Sequence, residues 1–354
     1  MQYFEHGGNP SLHRGIEFDF SQNINPLGMP VPVRDAICAS AAESRFYPDP
    51  ECTQLRILLA EKEGVAPENI IFGNGASDLI FRVCACLRPK NALILQPNFS
   101  EYERSVRIFD GHVTEYRMKK EHGFLPDEGI LEKLTPETGL LFLGHPNNPT
   151  GRLIPAPLLT QILERCRNID IPVLMDECFL DFTDGDSALP FLASFPRLMI
   201  LNAFTKLYGM AGIRLGYLTG EPAFLERIRK FGPPWSVSCP AQKSGAAALS
   251  CEPEWTERTK RIVRKERKFL SDGLAGLGLT VYPSDADFLL SESKLPLYAP
   301  LTKKGILVRS CENFPGLDEH FIRIGVKTHD WNVHLLSAIG SILEEPVTAQ
   351  SDCK

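Results

Sequence analysis

The chain has 354 residues, 43% hydrophobic and 23% charged, with a formal net charge of −6. That length accommodates a large domain and a smaller one. The acidic balance excludes a basic nucleic-acid footprint, and no stretch approaches the ~18–20 apolar residues of a membrane span. The first ten residues lack the apolar core of a signal peptide, and the ten cysteines include no CxxC pair. A cytoplasmic protein with reduced thiols is therefore expected, with no structural metal site.

Residues 1–30 are rich in turn formers (Gly7, Gly8, Pro10, Pro26, Gly28, Pro30) and read as an N-terminal arm. Residues 31–45 are expected to join a small domain. Between 46 and 240 short β-rich runs alternate with helical stretches. The strands expected are Ile70–Phe72, Ala92–Gln96, Leu140–Gly144, Val173–Asp176, Leu198–Asn202 and Leu215–Thr219. The helices expected are Ser77–Leu87, Tyr102–Asp110, Pro157–Asn168 and Pro222–Lys230. This alternation predicts an α/β fold with a mainly parallel sheet covered by helices on both faces, because its strands are continuous apolar runs. From 241 to 354 the pattern gives a long interdomain helical stretch (241–277). Four short strands (Thr280–Tyr282, Phe288–Leu290, Leu307–Arg309, Phe321–Ile324) and a last helix (Trp331–Leu343) then form a small α+β domain. The basic run at 258–268 is interleaved with Ile262 and Val263 and reads as a solvated helix face.

The chemistry collects at predicted strand ends. Lys206 follows the apolar run Leu198–Leu201, and Arg214 stands in Gly212-Ile213-Arg214-Leu215-Gly216-Tyr217. Asp176 ends another apolar run, where parallel sheets bind ligands; a helix N-cap is the other reading. Asn148 lies in Asn147-Asn148-Pro149-Thr150-Gly151, which also has the composition of a tight turn. Gly75, Ala76 and Ser77 open a helix after a strand, so free N–H groups and a partial positive charge await an anion there. Thr205 and Arg214 complete such a cup. A reactive amine, an acid for a pyridine nitrogen, an amide and a phosphate cup are the parts of a pyridoxal 5'-phosphate (PLP) site. In that reading Asn148 donates to the cofactor's O3' oxygen. Tyr102 either stacks on the pyridine ring or is an ordinary core aromatic. Arg323, on the apolar strand Phe321–Ile324, needs a partner, either a substrate carboxylate or a structural acid.

Taken in this order, these motifs resemble the fold-type I PLP enzymes of the aminotransferase class I/II group, and the match covers nearly the whole chain. Arg45-Phe46-Tyr47-Pro48-Asp49-Pro50 is similar to an element of histidinol-phosphate aminotransferases, which implies a homodimer with Tyr47 reaching the partner's cofactor phosphate. His6-Gly7-Gly8-Asn9, Asn23-Ile24-Asn25-Pro26-Leu27-Gly28-Met29-Pro30, Pro234-Trp235-Ser236-Val237 and the stretch Arg309–Asp318 resemble the threonine-phosphate decarboxylases of cobalamin biosynthesis. That resemblance implies a small phosphorylated amino-acid substrate held by His6, Gly8, Asn25, Asn148, Arg309 and Arg323, with Lys327 beside them. Phe179 stands where many aminotransferases of the group carry a tyrosine, and Lys327 stands where the decarboxylases carry a second arginine. A decarboxylase is expected to hold the Cα–carboxylate bond perpendicular to the cofactor ring and an aminotransferase the Cα–H bond. The readings left open are a histidinol-phosphate-type aminotransferase, a phosphoserine decarboxylase, and a PLP-binding regulator without turnover.

Overall fold

A computed structural model describes residues 13–251 and 253–344. Its strands in chain order are β1 (Phe18–Asp19), β2 (Ile70–Gly73), β3 (Asn91–Gln96), β4 (His112–Arg117), β5 (Leu140–Gly144), β6 (Val173–Asp176) and β7 (Leu198–Ala203). β8 (Gly216–Gly220), β9 (Thr280–Val281), β10 (Phe288–Glu292), β11 (Ile306–Leu307), β12 (Arg309–Ser310) and β13 (Phe321–Gly325) follow. Seven of them form one sheet in the order β2-β8-β7-β6-β5-β3-β4. The strands from β7 to β4 run parallel, whereas β8 is antiparallel to both its neighbours.

The apolar runs explain this sheet. The residues of β5 are all buried, as are most of those of β3, β6 and β7, because helices cover both faces. One face packs Leu93, Leu141, Val173 and Ile200 against Leu159, Ile162 and Leu163 of the helix Ala156–Asn168. The other packs Ile94, Phe142 and Leu201 against the helices Ala76–Leu87, Ser100–Ile108 and Pro222–Arg229. From β3 the chain moves outward to β4 and returns on the opposite side of β3 as β5. That reversal opens a crevice at the carboxyl ends of β3 and β5, where α/β sheets take their ligands.

A second, antiparallel sheet has the order β12-β13-β10-β9 and its own core of Leu270, Leu289, Ile322, Ile324 and Ile339. Here the boundaries differ from the sequence expectation. Phe18–Asp19, expected in a free arm, pairs with Ile306–Leu307, and Phe20 is buried in the small-sheet core. The helix Val31–Ser40, expected in the small domain, lies on the helix Cys239–Leu249, and Val33 shares a core with Leu55, Phe72 and Leu215. The stretch 241–277 is two helices, Cys239–Leu249 and Glu254–Gly276, parted near Pro253. Proline cannot continue a hydrogen-bonded helix interior, which accounts for the break. The edge strand β4 escaped the sequence reading because its half-exposed His-Val-Thr-Glu-Tyr-Arg lacks an apolar run. Among the described residues no helix is long and apolar enough to cross a membrane, and the nine described cysteines are free thiols.

Glu177, next to Asp176, is buried at 2% exposure and accepts hydrogen bonds from Ser187 Oγ and the Ala188 N–H. Burial pushes its carboxyl up to about 7. An acid whose folded-state pKa is raised favours the folded state most below its unfolded value, and that contribution is lost as pH climbs through the folded pKa. Stability should therefore fall by ~3 kcal/mol between pH 4.5 and 7.5 on account of this group. Chemical denaturation of Glu177→Gln across that range should show a flatter profile; an unchanged slope rules the assignment out.

Candidate active site

Lys206 sits in the single turn Phe204–Leu207 that follows β7. Its carbonyl accepts the N–H of Asn25 at 3.1 Å, and its ammonium lies 5.6 Å from the centre of the Phe179 ring. Burial lowers the amine to about 8. A lysine so shifted has a useful neutral fraction near physiological pH and is a nucleophile for a carbonyl group.

Around it the pocket is lined by Ala76, Ser77, Phe99, Asn148, Asp176, Phe179, Thr205 and Arg214. The helix Ala76–Leu87 starts after Gly75, which takes φ +86°, and a Cβ there would stand 2.5 Å from Arg214 Nη2. Glycine is thus required for Arg214 to close against the helix start. Arg214 itself adopts φ 61° and donates to the Ala211 carbonyl at 3.1 Å. Helix N–H groups, the buried Thr205 hydroxyl and this guanidinium form one anion-accepting cup.

On the opposite wall, Asp176 Oδ2 accepts the Tyr102 hydroxyl at 2.7 Å and Oδ1 accepts the Cys178 N–H at 3.0 Å. Tyr102 therefore is not free to stack on a ligand ring. Its own ring lies flat on Phe142, centroids 4.9 Å apart, and it is 2% exposed. Its place on the first turn of its helix turns it under Asp176, where it orients the carboxylate. Phe99 and Phe179 both line this pocket and the adjoining one. Asn147 Nδ2 bonds the Pro97 carbonyl and Thr150 Oγ1, each at 3.0 Å, and this rigid turn presents Asn148.

The adjoining pocket holds two buried guanidinium groups, Arg309 and Arg323, with Ser21, Gln22 and Asn23 facing them. Arg323 Nη1 donates to Asn148 Oδ1 and Nη2 donates to the Ser21 carbonyl at 2.7 Å, while Nε is buried with no partner among the described residues. Arg309 Nη2 donates to Asn313 Oδ1 at 2.8 Å.

Three expected residues stand elsewhere. Asn25 Nδ2 is spent on the Leu207 carbonyl and Thr259 Oγ1, both at 2.7 Å, and its Oδ1 accepts the Leu27 N–H, so it is a structural lock and not a substrate ligand. Two residues earlier, Asn23 is buried, and its Oδ1 has no partner among the described residues although the side chain lines the substrate pocket. Lys327 lies beyond the end of β13, bonds the Gln22 carbonyl at 2.8 Å, and opens on a separate surface depression with Asp19 and Trp331. Tyr47 is 81% exposed, its ring 4.8 Å from that of Trp235, and it lines neither the Lys206 pocket nor the one adjoining it. His6 and Gly8 lie outside the described residues. The sequence reading also missed Phe99, Asn23 and the pocket-lining Cys178. Phe99 stands in a strand-end loop, the placement that marked Asn148, and Asn23 stands in the same motif as Asn25.

These residues fit PLP: an amine for its aldehyde, a fixed carboxylate for its ring nitrogen and a glycine-framed cup for its phosphate. A family model described as aminotransferase class I and II matches residues 16–339. The chain is 36% identical over 351 residues to a threonine-phosphate decarboxylase of Salmonella typhimurium, covering 96% of each. Among solved structures, a histidinol-phosphate aminotransferase from Clostridium acetobutylicum superposes with TM-score 0.86 at 27% identity, covering 92% of this chain and 99% of that one. An L-threonine-O-3-phosphate decarboxylase from Porphyromonas gingivalis gives TM-score 0.82 at 25% identity over 92% of this chain and 99% of the other. The chain belongs to the class I and II aminotransferase family and is a PLP-dependent enzyme.

Proposed function

We propose that this enzyme decarboxylates L-threonine O-3-phosphate to (R)-1-amino-2-propanol O-2-phosphate, the precursor of the cobalamin nucleotide-loop linker. The observation that carries this reading is the pairing of buried Arg309 and Arg323 in one pocket beside Lys206, which suits a small substrate bearing two anionic groups. The relation to the Salmonella typhimurium enzyme, over nearly the full length of both chains, supports it.

Bound in the pocket, PLP supplies an electron sink for the pair released from a bond at the substrate α-carbon. Lys206 would hold PLP through its amine and would supply the proton that returns to the substrate α-carbon. Asp176, oriented by Tyr102, keeps the ring nitrogen protonated. Asn148 offers its amide N–H to O3' while its Oδ1 is held by Arg323. Phe99 and Phe179 wall the site with hydrocarbon and keep water off the reacting carbon. Arg323, Arg309 and Asn23 orient the substrate, and that grip decides which α-carbon bond stands perpendicular to the ring. The exposed Phe46, Tyr47 and Trp235 form an aromatic surface that meets a second copy of the chain, bringing Tyr47 to the partner's phosphate cup.

A histidinol-phosphate aminotransferase is the second reading, favoured by the closeness of the Clostridium acetobutylicum fold. Purified enzyme given O-phospho-L-threonine without an oxo acid should release CO₂ and the amino alcohol phosphate. Glutamate formed from histidinol phosphate and 2-oxoglutarate, with no CO₂ from phosphothreonine, would establish the aminotransferase instead. O-Phospho-L-serine in parallel ranks the two phosphoamino acids.

The two asparagines separate binding from folding. Asn23→Ala should raise KM for phosphothreonine about tenfold and leave the melting temperature within a degree or two, because it removes one ligand contact. Asn25→Ala removes three hydrogen bonds and should destabilise the fold by roughly 2–4 kcal/mol. Thermal melts and Michaelis curves on both variants check this, and the reverse pattern would return substrate binding to Asn25.

A further inference from the structure

Asp287 precedes β10 and is completely buried, yet neither carboxylate oxygen has a hydrogen-bond partner among the described residues. Buried carboxylates without donors are uncommon, since desolvation strongly disfavours an unpaired anion. Asp287 is held in place by its main chain: its carbonyl accepts the Val326 N–H at 2.8 Å. The next residue, Phe288, lies 5.5 Å beneath the Arg323 guanidinium and packs edge-on against Phe179, the ring that faces the Lys206 ammonium.

Four cations from separate parts of the chain act on this carboxylate electrostatically. Lys206 comes from the turn after β7, Arg323 from β13, Lys327 from just beyond β13, and Arg267 from the helix Glu254–Gly276. None of these donates a hydrogen bond to it. Arg267 gives its Nη1 to the carbonyls of Asp285 and Ala286 instead, and Lys327 donates to Gln22. The other acids in this neighbourhood are engaged, Asp285 with the Leu153 N–H and Asp19 with Ser21 and Gln22. A carboxylate attracted by four cations but bonded to none is poised to act through its field.

We propose that Asp287 is the counter-ion of the reaction pocket, a positioning residue whose negative charge holds the proton on Lys206 and offsets the stacked positive charge of Lys206 and Arg323. Burial raises Asp287 to about 6, so the carboxylate is ionised at neutral pH, and its charge opposes the burial that lowers Lys206. Below pH 6 the carboxyl becomes neutral and the support is withdrawn. This inference rests on the pocket's geometry and on Lys206 as the cofactor-bearing lysine, and it does not depend on which substrate is turned over.

The test uses full-length protein loaded with PLP and the variant Asp287→Asn, which keeps shape and polarity while removing charge. The readout is the pH midpoint of the bound cofactor's visible absorbance change, which follows the proton on the Lys206 nitrogen. The variant's midpoint should fall by about one pH unit, a tenfold easier loss of that proton. In cofactor-free protein, acetylation of Lys206 at pH 7, read by mass spectrometry, should be several-fold faster in the variant. Asp287→Asn should also melt no lower than the parent at pH 8, because burying the carboxylate costs more than the surrounding cations return, and any gain should shrink below pH 6 and vanish below about pH 4. A midpoint that stays or rises, or a variant that melts well below the parent or does not fold, overturns the proposal by making Asp287 a structural acid. Absence of phosphothreonine decarboxylation by the parent enzyme, with the variant's midpoint shifted as expected, would count against the functional reading alone.

Discussion

Three parts of the molecule meet at the guanidinium of Arg323. Its strand belongs to the small antiparallel sheet, one nitrogen holds Asn148 at the carboxyl end of the large sheet, and another holds Ser21 in the N-terminal segment. Burial lowers this group to about 10, so it remains a cation at any physiological pH. A buried cation tolerates such a place only when its donors are satisfied. Two are satisfied by the fold, and Nε is buried without a partner among the described residues. The pocket beside Lys206 is thus built around a charge that the protein has only partly neutralised.

The same incompleteness recurs around the crevice. Gln96, Asn98 and Asn147 at the ends of β3 and β5, Asn23 in the facing segment, and Asp287 all bury polar atoms with no partner among the described residues. Each such group costs about 1–3 kcal/mol relative to a satisfied one. The scaffold that tolerates this cost is the all-apolar sheet behind, where Phe142, Leu174 and Leu201 have no polar demands at all.

Much of this was legible in the chain. The strands β3, β5, β6 and β7 announced themselves as apolar runs, and the reactive residues followed them directly, since ligand groups in such folds sit at strand ends. Lys206, Asp176, Asn148 and Arg214 were placed together on that logic alone, and the structure does bring them to one pocket. What failed was the choice between near neighbours. Asn23 and Asn25 share one motif, and only the turn made by the Asn25 side chain with Leu27 decides which amide is free. Phe99 and Tyr102 share one loop-to-helix junction, and which ring faces the crevice depends on the docking of that helix. Lys327 was expected there because it stands where the resembled decarboxylases carry a second arginine, but β13 ends at Gly325 and the alternation stops with it. Asp287 carried no signal, because an acid in Ser284-Asp285-Ala286-Asp287 reads as a turn.

The lock formed by Asn25 also sets a leash. Phe20 is fastened to the small sheet through the Leu307 carbonyl and the Gly325 N–H, and five residues later Asn25 is fastened to the carbonyls of Lys206 and Leu207. Five residues of extended chain reach no farther than about 18 Å. The small sheet cannot swing away from the lysine beyond that contour length without tearing out the asparagine. Any opening of the cleft is bounded by a short tether, and tension in that tether is delivered to the main chain at Lys206.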